Sequence, residues 1–345
     1  MKAILTDLLA IIGVVLNGLP QGLLALTFGF ASVPTALAFF VGAVGNTITQ
    51  SVAPISFQAE TITYAGTAGK DRSERCTMIF IGGVFGLLTK IVNFVGEDVA
   101  YGMMAGVGII LVKAAIDMIK SDAISGGVSL AAALITYYFT KDSANTLVYT
   151  IVISVVASCI ANAFFNKEKS SIVVEDDKFV RQKFTINANV ILGALGMVCL
   201  NIGSNISFGG ITAGMATGGN YNVDNLTVIS SLADMFSSFF GGAPVEAIIS
   251  ATANAPHAVW AGVIMMVVIG VILLLKLLPK IGKFVPSSSI AGFLFVLGIF
   301  KTVVLDAPSA FAINAAVGGT TMVVTAVTNP FLGMLAGVAA KLLGL

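Results

Sequence analysis

Charge is scarce in this sequence. Only 10% of its 345 residues are Asp, Glu, Lys or Arg, against roughly 25% in soluble domains, and the mean hydropathy is +0.99. A soluble globular fold is thereby excluded. The net charge of +1 leaves no electrostatic footprint for nucleic acid. Histidine occurs once, at His257, and the three cysteines (Cys76, Cys159, Cys199) stand far apart in or beside apolar runs. One histidine without any CxxC spacing cannot complete a zinc set, and scattered cysteines give no disulfide framework. Walker A, HExxH and GxSxG patterns are absent, so the chain offers no phosphate loop and no nucleophile–base pair. The expected protein is no enzyme and holds no metal or organic cofactor.

What fills the chain is apolar sequence: 57% hydrophobic residues and 37 glycines, the composition of closely packed membrane helices. Spanning the hydrocarbon takes about 20 residues, fewer when a segment is broken. On that scale the runs separate near 8–30, 33–51, 52–66, 76–95, 99–118, 123–140, 145–165, 189–213, 226–242, 243–256, 258–278, 286–305, 309–327 and 329–344. The opening "MKAILTDLLAIIGVVL" is read as the first membrane segment, because Asp7 interrupts what would otherwise resemble a signal peptide. The charged stretch "NKEKSSIVVEDDKFVRQK" reads as an extramembrane linker, so residues 1–165 form one half, 166–188 the linker and 189–345 the other half.

The halves match at a constant offset of 190 residues. Leu87, Leu88, Lys90, Ile91, Phe94 and Val95 correspond to Leu277, Leu278, Lys280, Ile281, Phe284 and Val285. Ala53-Pro54 corresponds to Ala243-Pro244, and Gly102 and Gly108 to Gly292 and Gly298. Apolar coincidences are cheap in such a composition; matched Lys, Pro and Gly at one offset are not. Seven segments is an odd number, so the second half enters the membrane from the opposite side. The expected fold is an all-α polytopic membrane protein with fourteen segments in a 7+7 inverted repeat.

Inverted-repeat transporters bind their solute near the midplane, where short Gly/Pro-broken segments of the two halves meet. Segments 52–66 and 243–256 are the two short ones, and the 190 offset pairs them. A helix starting after Pro54 or Pro244 would present free N–H groups to an acceptor or anion. The first broken segment carries Phe57, Gln58, Glu60 and Thr61; the second carries Glu246, Ser250 and Thr252. Asn201 and Asn205 share a face with Ser204 in segment 189–213 and either line the solute or bond neighbouring helices. A buried unpaired carboxylate is expensive, which favours its neutral form, so Glu60 is the foremost candidate for picking up and releasing a proton. Glu246 and Asp234 are the other two; an acid just after Pro244 would also simply complement a helix start. His257 and Trp260 read as interfacial.

The stretch "SSLADMFSSFFGGAPVEAIISATANAP" resembles the ninth and tenth segments of the xanthine/uracil permease family of nucleobase–ascorbate transporters. "PISFQAETIT" is similar in placement to that family's broken third segment, and "LLPKIGKFVPSSSIAGFLFVLGIF" to the stretch that follows. The resemblance implies a core domain from about 1–96 and 189–284 and a gate domain from about 97–165 and 285–345. It implies that segments 3 and 10 cross as short strands and half-helices around the solute, a nucleobase-like compound with a purine as the expected case. It further implies a plasma-membrane symporter working as an elevator with H+, or Na+, as coupling ion, commonly as a homodimer among membrane lipids. The sequence departs from that pattern: segment 8 has amides and hydroxyls where the family carries a carboxylate, and Ser250 stands where the segment-10 Glu would fall. An anion transporter or channel of the same fold, of the sulfate/bicarbonate type, is the alternative. Orientation is contested as well. Thirteen of the 18 basic residues fall on loops after odd-numbered segments, which places those loops in the cytoplasm, whereas the resemblance places both termini there.

Overall fold

The computed structural model describes residues 2–88, 95–141, 146–166, 178–216, 220–282 and 285–345. Three residues of the repeat match in the first half (Lys90, Ile91 and Phe94), Phe284 in the second, and residues 167–177 of the charged linker lie outside them. The chain is helical almost throughout: α1 (Lys2–Thr27), α2 (Ser32–Thr49), α3 (Ala59–Ala68), α4 (Arg72–Leu88), α5 (Glu97–Ser121), α6 (Ala123–Thr140) and α7 (Thr146–Ala161) precede the linker. After it come α8 (Ala188–Met215), α9 (Val223–Phe239), α10 (Ala258–Leu274), α11 (Leu277–Gly282), α12 (Ala291–Val296), α13 (Val304–Val327) and α14 (Pro330–Leu342). A π turn, Leu297–Val303, joins α12 to α13 without a break. Inside α13, Asn314 is non-helical (φ −154°, ψ 106°) and divides the helix in two.

Among the described residues, six helices are long and apolar enough to cross a membrane, and three shorter apolar helices accompany them. Fourteen full-length spans therefore do not stand out. Several segments that looked like spans are short, broken or merged, because the apolar runs of this sequence continue through positions where the backbone changes course.

The two broken segments differ most from expectation. Neither Pro54 nor Pro244 starts a helix. Each is followed by two extended residues, β1 (Ile55–Ser56) and β2 (Glu246–Ala247), which pair antiparallel with Ile55 opposite Ala247 and Ser56 opposite Glu246. Main-chain groups at membrane depth must find partners, and here each strand supplies the other's. The helix of the first segment begins only at Ala59; the second makes a four-residue 3-10 turn, Ala251–Asn254. Glu246 is thus a strand residue, and its reading as a complement to a helix start falls away.

Side chains hold these crossings in place. Asn46, fully buried near the end of α2, donates to the Ala53 carbonyl at 2.9 Å. Arg75 reaches back to the ends of α1 and α3, donating to Phe28 O at 2.7 Å and Gly66 O at 3.1 Å. Gly241 turns the chain out of α9 at φ +93°, and a Cβ on Gly242 would lie 2.7 Å from the Thr35 nitrogen. The "GGAP" sequence is therefore demanded by the backbone path. Close helix approach uses glycine elsewhere: a Cβ on Gly102 would stand 2.6 Å from the Gly318 carbonyl and one on Gly106 2.6 Å from the Met322 carbonyl, where α5 lies against α13.

Candidate functional site

Where α3 begins, a small cavity opens between helices from both halves. Its walls include Asn17 and Gln21 of α1, Gln58 and Glu60, Ile248 after β2, and Lys301 and Thr302 of the π turn. It holds about 50 Å³ of free space; a water needs roughly 10–15 Å³ of such space, so a few waters or one small ion fill it.

Glu60 occupies the first turn of α3 and is 2% exposed. The Thr302 hydroxyl donates to its Oε1 at 3.1 Å. Gln58, the residue before α3, is tied from both ends. Its Nε2 donates to Ser204 Oγ at 2.9 Å and to the Ala247 carbonyl at 3.2 Å, and its Oε1 accepts from Thr61. One amide thus fastens α3 to α8 and to β2. Lys301 is half-buried on the cavity wall and, among the described residues, is in none of the ion pairs.

Of the residues the sequence nominated, Gln58 and Glu60 reach this cavity, and the others lie outside its walls. Phe57 is core, packed edge-on against Phe39 with ring centroids 5.0 Å apart. Thr61 serves Gln58. Asn201 and Asn205 take the helix-bonding role: Asn205 donates to Asn201 Oδ1 at 2.8 Å and to Thr227 Oγ1 at 3.0 Å, and Asn201 donates to Ser230 Oγ at 3.0 Å, joining α8 to α9. The Ser250 and Thr252 hydroxyls pair with each other at 2.6 Å, and Ser250 caps the 3-10 turn. Asp234 accepts from the Val245 N–H at 2.8 Å and fastens the chain just past Pro244. Glu246 lies fully buried beside Asp234, with Ser230 and Asn201 around it.

Sequence reasoning missed Asn17, Gln21, Thr302 and Lys301. The first two are polar residues one turn apart in α1, a spacing that signals one shared face. The last two, with Asp306, interrupt an apolar run that the segment boundaries treated as ending near 305.

No family model matches the sequence, and no curated protein does. Solved structures do resemble it. The overall structure of SLC26A9 superposes with a TM-score of 0.70 over 99% of this chain and 65% of its own, at 13% identity. Murine Slc26a9, an anion transporter in the inward-facing state, gives 0.69 over 100% and 68%, at 14% identity. The transmembrane domain of BicA, a cyanobacterial bicarbonate transporter, gives 0.57 over 94% and 97%, at 16% identity. The chain spans about two thirds of the SLC26A9 chains and nearly all of the BicA domain. These identities show a shared fold. The neighbours also correct the resemblance to xanthine/uracil permeases: murine Slc26a9 is an anion transporter and BicA a bicarbonate transporter, so the nucleobase reading does not stand. Its strongest motif, "GGAP", reports the path of the backbone and carries no information on the solute. With six long apolar helices among the described residues and a fold shared with solved membrane transporters, the chain is an integral membrane protein.

Proposed function

We propose that this protein is a secondary transporter of a small inorganic anion of the bicarbonate class, taken up together with a proton. The observation that carries the reading is the cavity in which Lys301, the start of α3 and the carboxyl of Glu60 meet. A cation and free N–H groups at a helix start attract an anion, and the volume suits an ion of a few atoms. Glu60 in its neutral form donates a hydrogen bond to an oxyanion; as a carboxylate it repels one. Binding of the anion and of the proton then support each other, which is the thermodynamic requirement for symport. Both solved anion transporters named above lend the reading support through their fold.

The 7+7 inverted repeat belongs to the same proposal. Under the 190 offset α2 maps onto α9 and α4 onto α10. The structure packs α2 on α10 and α9 on α4, two contacts that exchange under the offset. The isolated bridges Ala31–Gly242 and Ser51–Asn220 also exchange, to within one residue. In this reading the break at Asn314 separates segments 12 and 13, the core carries Glu60, and the gate carries Lys301 and Thr302. Sliding of core against gate exposes the cavity to each side in turn, and a homodimer of gates would anchor the motion in the lipid. The Asp234–Glu246 pair, off the cavity, fastens the crossing.

The test is uptake of radiolabelled bicarbonate, chloride and sulfate into proteoliposomes, with and without an inward proton gradient. Saturable uptake of at least one anion, stimulated by the gradient, is expected. Absence of uptake for all three, with the protein folded and correctly reconstituted, defeats the proposal.

A further inference from the structure

The cavity accounts for Glu60 and leaves another buried acid unexplained. Asp306 lies one helical turn beyond Thr302 and is 1% exposed. Ser207 of α8 donates to its Oδ1 at 2.6 Å, and its Oδ2 has no partner. Among the described residues no basic side chain pairs with it. The titratable groups that bear on it are Glu60 from α3 and Tyr101 from α5; Lys301, on its own helix, lines the cavity. Tyr101 is in turn within electrostatic reach of Glu97. Glu97 precedes it by four residues, hence on the same face of α5, and stands exposed in the first turn of that helix.

These groups form a series linked by electrostatic interaction, Glu97 with Tyr101, Tyr101 with Asp306 and Asp306 with Glu60, and Thr302, one turn before Asp306, bonds Glu60. Thr302 gives it direction. Its hydroxyl has one proton yet lies 3.1 Å from both Glu60 Oε1 and the Leu297 carbonyl. Toward an ionised Glu60 the hydroxyl donates. Toward a neutral Glu60 whose O–H is not engaged by an anion it accepts, and turns its own proton to Leu297. The orientation of this one O–H therefore follows the charge on Glu60.

We propose that Asp306 is a second proton-binding carboxyl that exchanges a proton with Glu60, and that Thr302, Tyr101 and Glu97 connect the pair to the exposed start of α5. The inference deepens the transport reading above and rests on it. In the transfer an O–H bond at Asp306 breaks and one at Glu60 forms. Asp306 is left as the carboxylate, and a hydronium ion at the Glu97 end restores its proton and leaves water. Because Glu60 belongs to the proposed core and Asp306 to the proposed gate, the handover crosses the surface along which the two slide. It is made only when they are in register.

The experiment compares gradient-driven bicarbonate uptake with bicarbonate counterflow, which moves no net proton, in proteoliposomes of wild type, Asp306→Asn, Asp306→Glu, Tyr101→Phe and Thr302→Val. Asp306→Asn is expected to lose stimulation by the proton gradient while counterflow falls much less, and Asp306→Glu to restore part of the stimulation. Thr302→Val and Tyr101→Phe are expected to weaken it in the same sense; they decide the matter should Asp306→Asn fail to fold. Full gradient stimulation in folded Asp306→Asn, or in both Thr302→Val and Tyr101→Phe, overturns the inference and leaves anion transport standing. Anion uptake by wild type without any proton dependence overturns it too. Absence of anion uptake by wild type fails the transport reading itself, and this inference with it.

Discussion

The Thr302 hydroxyl stands 3.1 Å from the Glu60 carboxyl, across 242 residues of sequence. It joins the first turn of α3 to the π turn ahead of α13, and so connects the two parts of the chain assigned to core and gate.

Replacing Glu60 by Gln removes the titrating group and keeps the shape. Uptake of the anion by Glu60→Gln is expected to lose its dependence on pH between about 5 and 8, a window that brackets ordinary histidine titration. Wild type should slow as pH rises through that range, because symport needs the proton on Glu60. Initial rates in proteoliposomes at stepped pH measure this. A Glu60→Gln profile parallel to wild type would remove Glu60 from the mechanism.

Lys301 supplies the cavity's positive charge. Its replacement by Ala is expected to weaken anion binding by roughly tenfold, about 1.4 kcal/mol, with Lys301→Arg losing less. Titration of binding by calorimetry in detergent reads the affinity directly. Unchanged affinity in Lys301→Ala would shift the anion's attraction onto the start of α3 alone.

Gly106 is where α5 touches α13 through backbone. With the Met322 carbonyl 2.6 Å from the position of a Cβ, Gly106→Leu forces the helices apart, at a cost of about 1–3 kcal/mol. A fall of several degrees in the melting temperature of the purified protein is expected, and no change would mean the helices part freely there.

The charge count and the folded structure bear jointly on orientation. Ser73 of α4 bonds the Lys183 carbonyl of the linker, which gathers Arg72, Arg75, Arg181 and Lys183 on one face. A cysteine at exposed Lys183 is expected to react with an impermeant thiol reagent from the cytoplasmic side only. Labelling from outside would reverse the assignment.

Much of the architecture was legible before folding was considered. The 190 offset came from prolines and glycines whose roles are backbone roles, and it selected the two stretches that do meet, Ile55–Ser56 and Glu246–Ala247. What could not be read was the form of the meeting. A proline in an apolar run resembles a helix start, and only the mutual need of two crossing backbones for partners makes the next residues extended. The site was half legible. Gln58 and Glu60 announced themselves as polar residues in oil, whereas Lys301, Thr302 and Asp306 lie far along the chain, in an apolar run that continues as helix to the break at Asn314. The amides Asn201 and Asn205 looked like ligands because helix-bonding and solute-binding stripes have the same spacing. The purine reading failed for a related reason: a motif fixed by backbone geometry was taken for one fixed by a ligand.

The antiparallel pairing of Ile55–Ser56 with Glu246–Ala247 is made by main-chain atoms, and main-chain hydrogen bonds are indifferent to the side chains they carry. The strand pairing can therefore persist through a change at Ser56, whereas Gln58 and Ser250 carry side-chain ties of their own. Selection acting on such a frame is free to retune solute preference by single substitutions. Descendants of one ancestral duplication would then keep a common shape long after their sequences had stopped resembling one another.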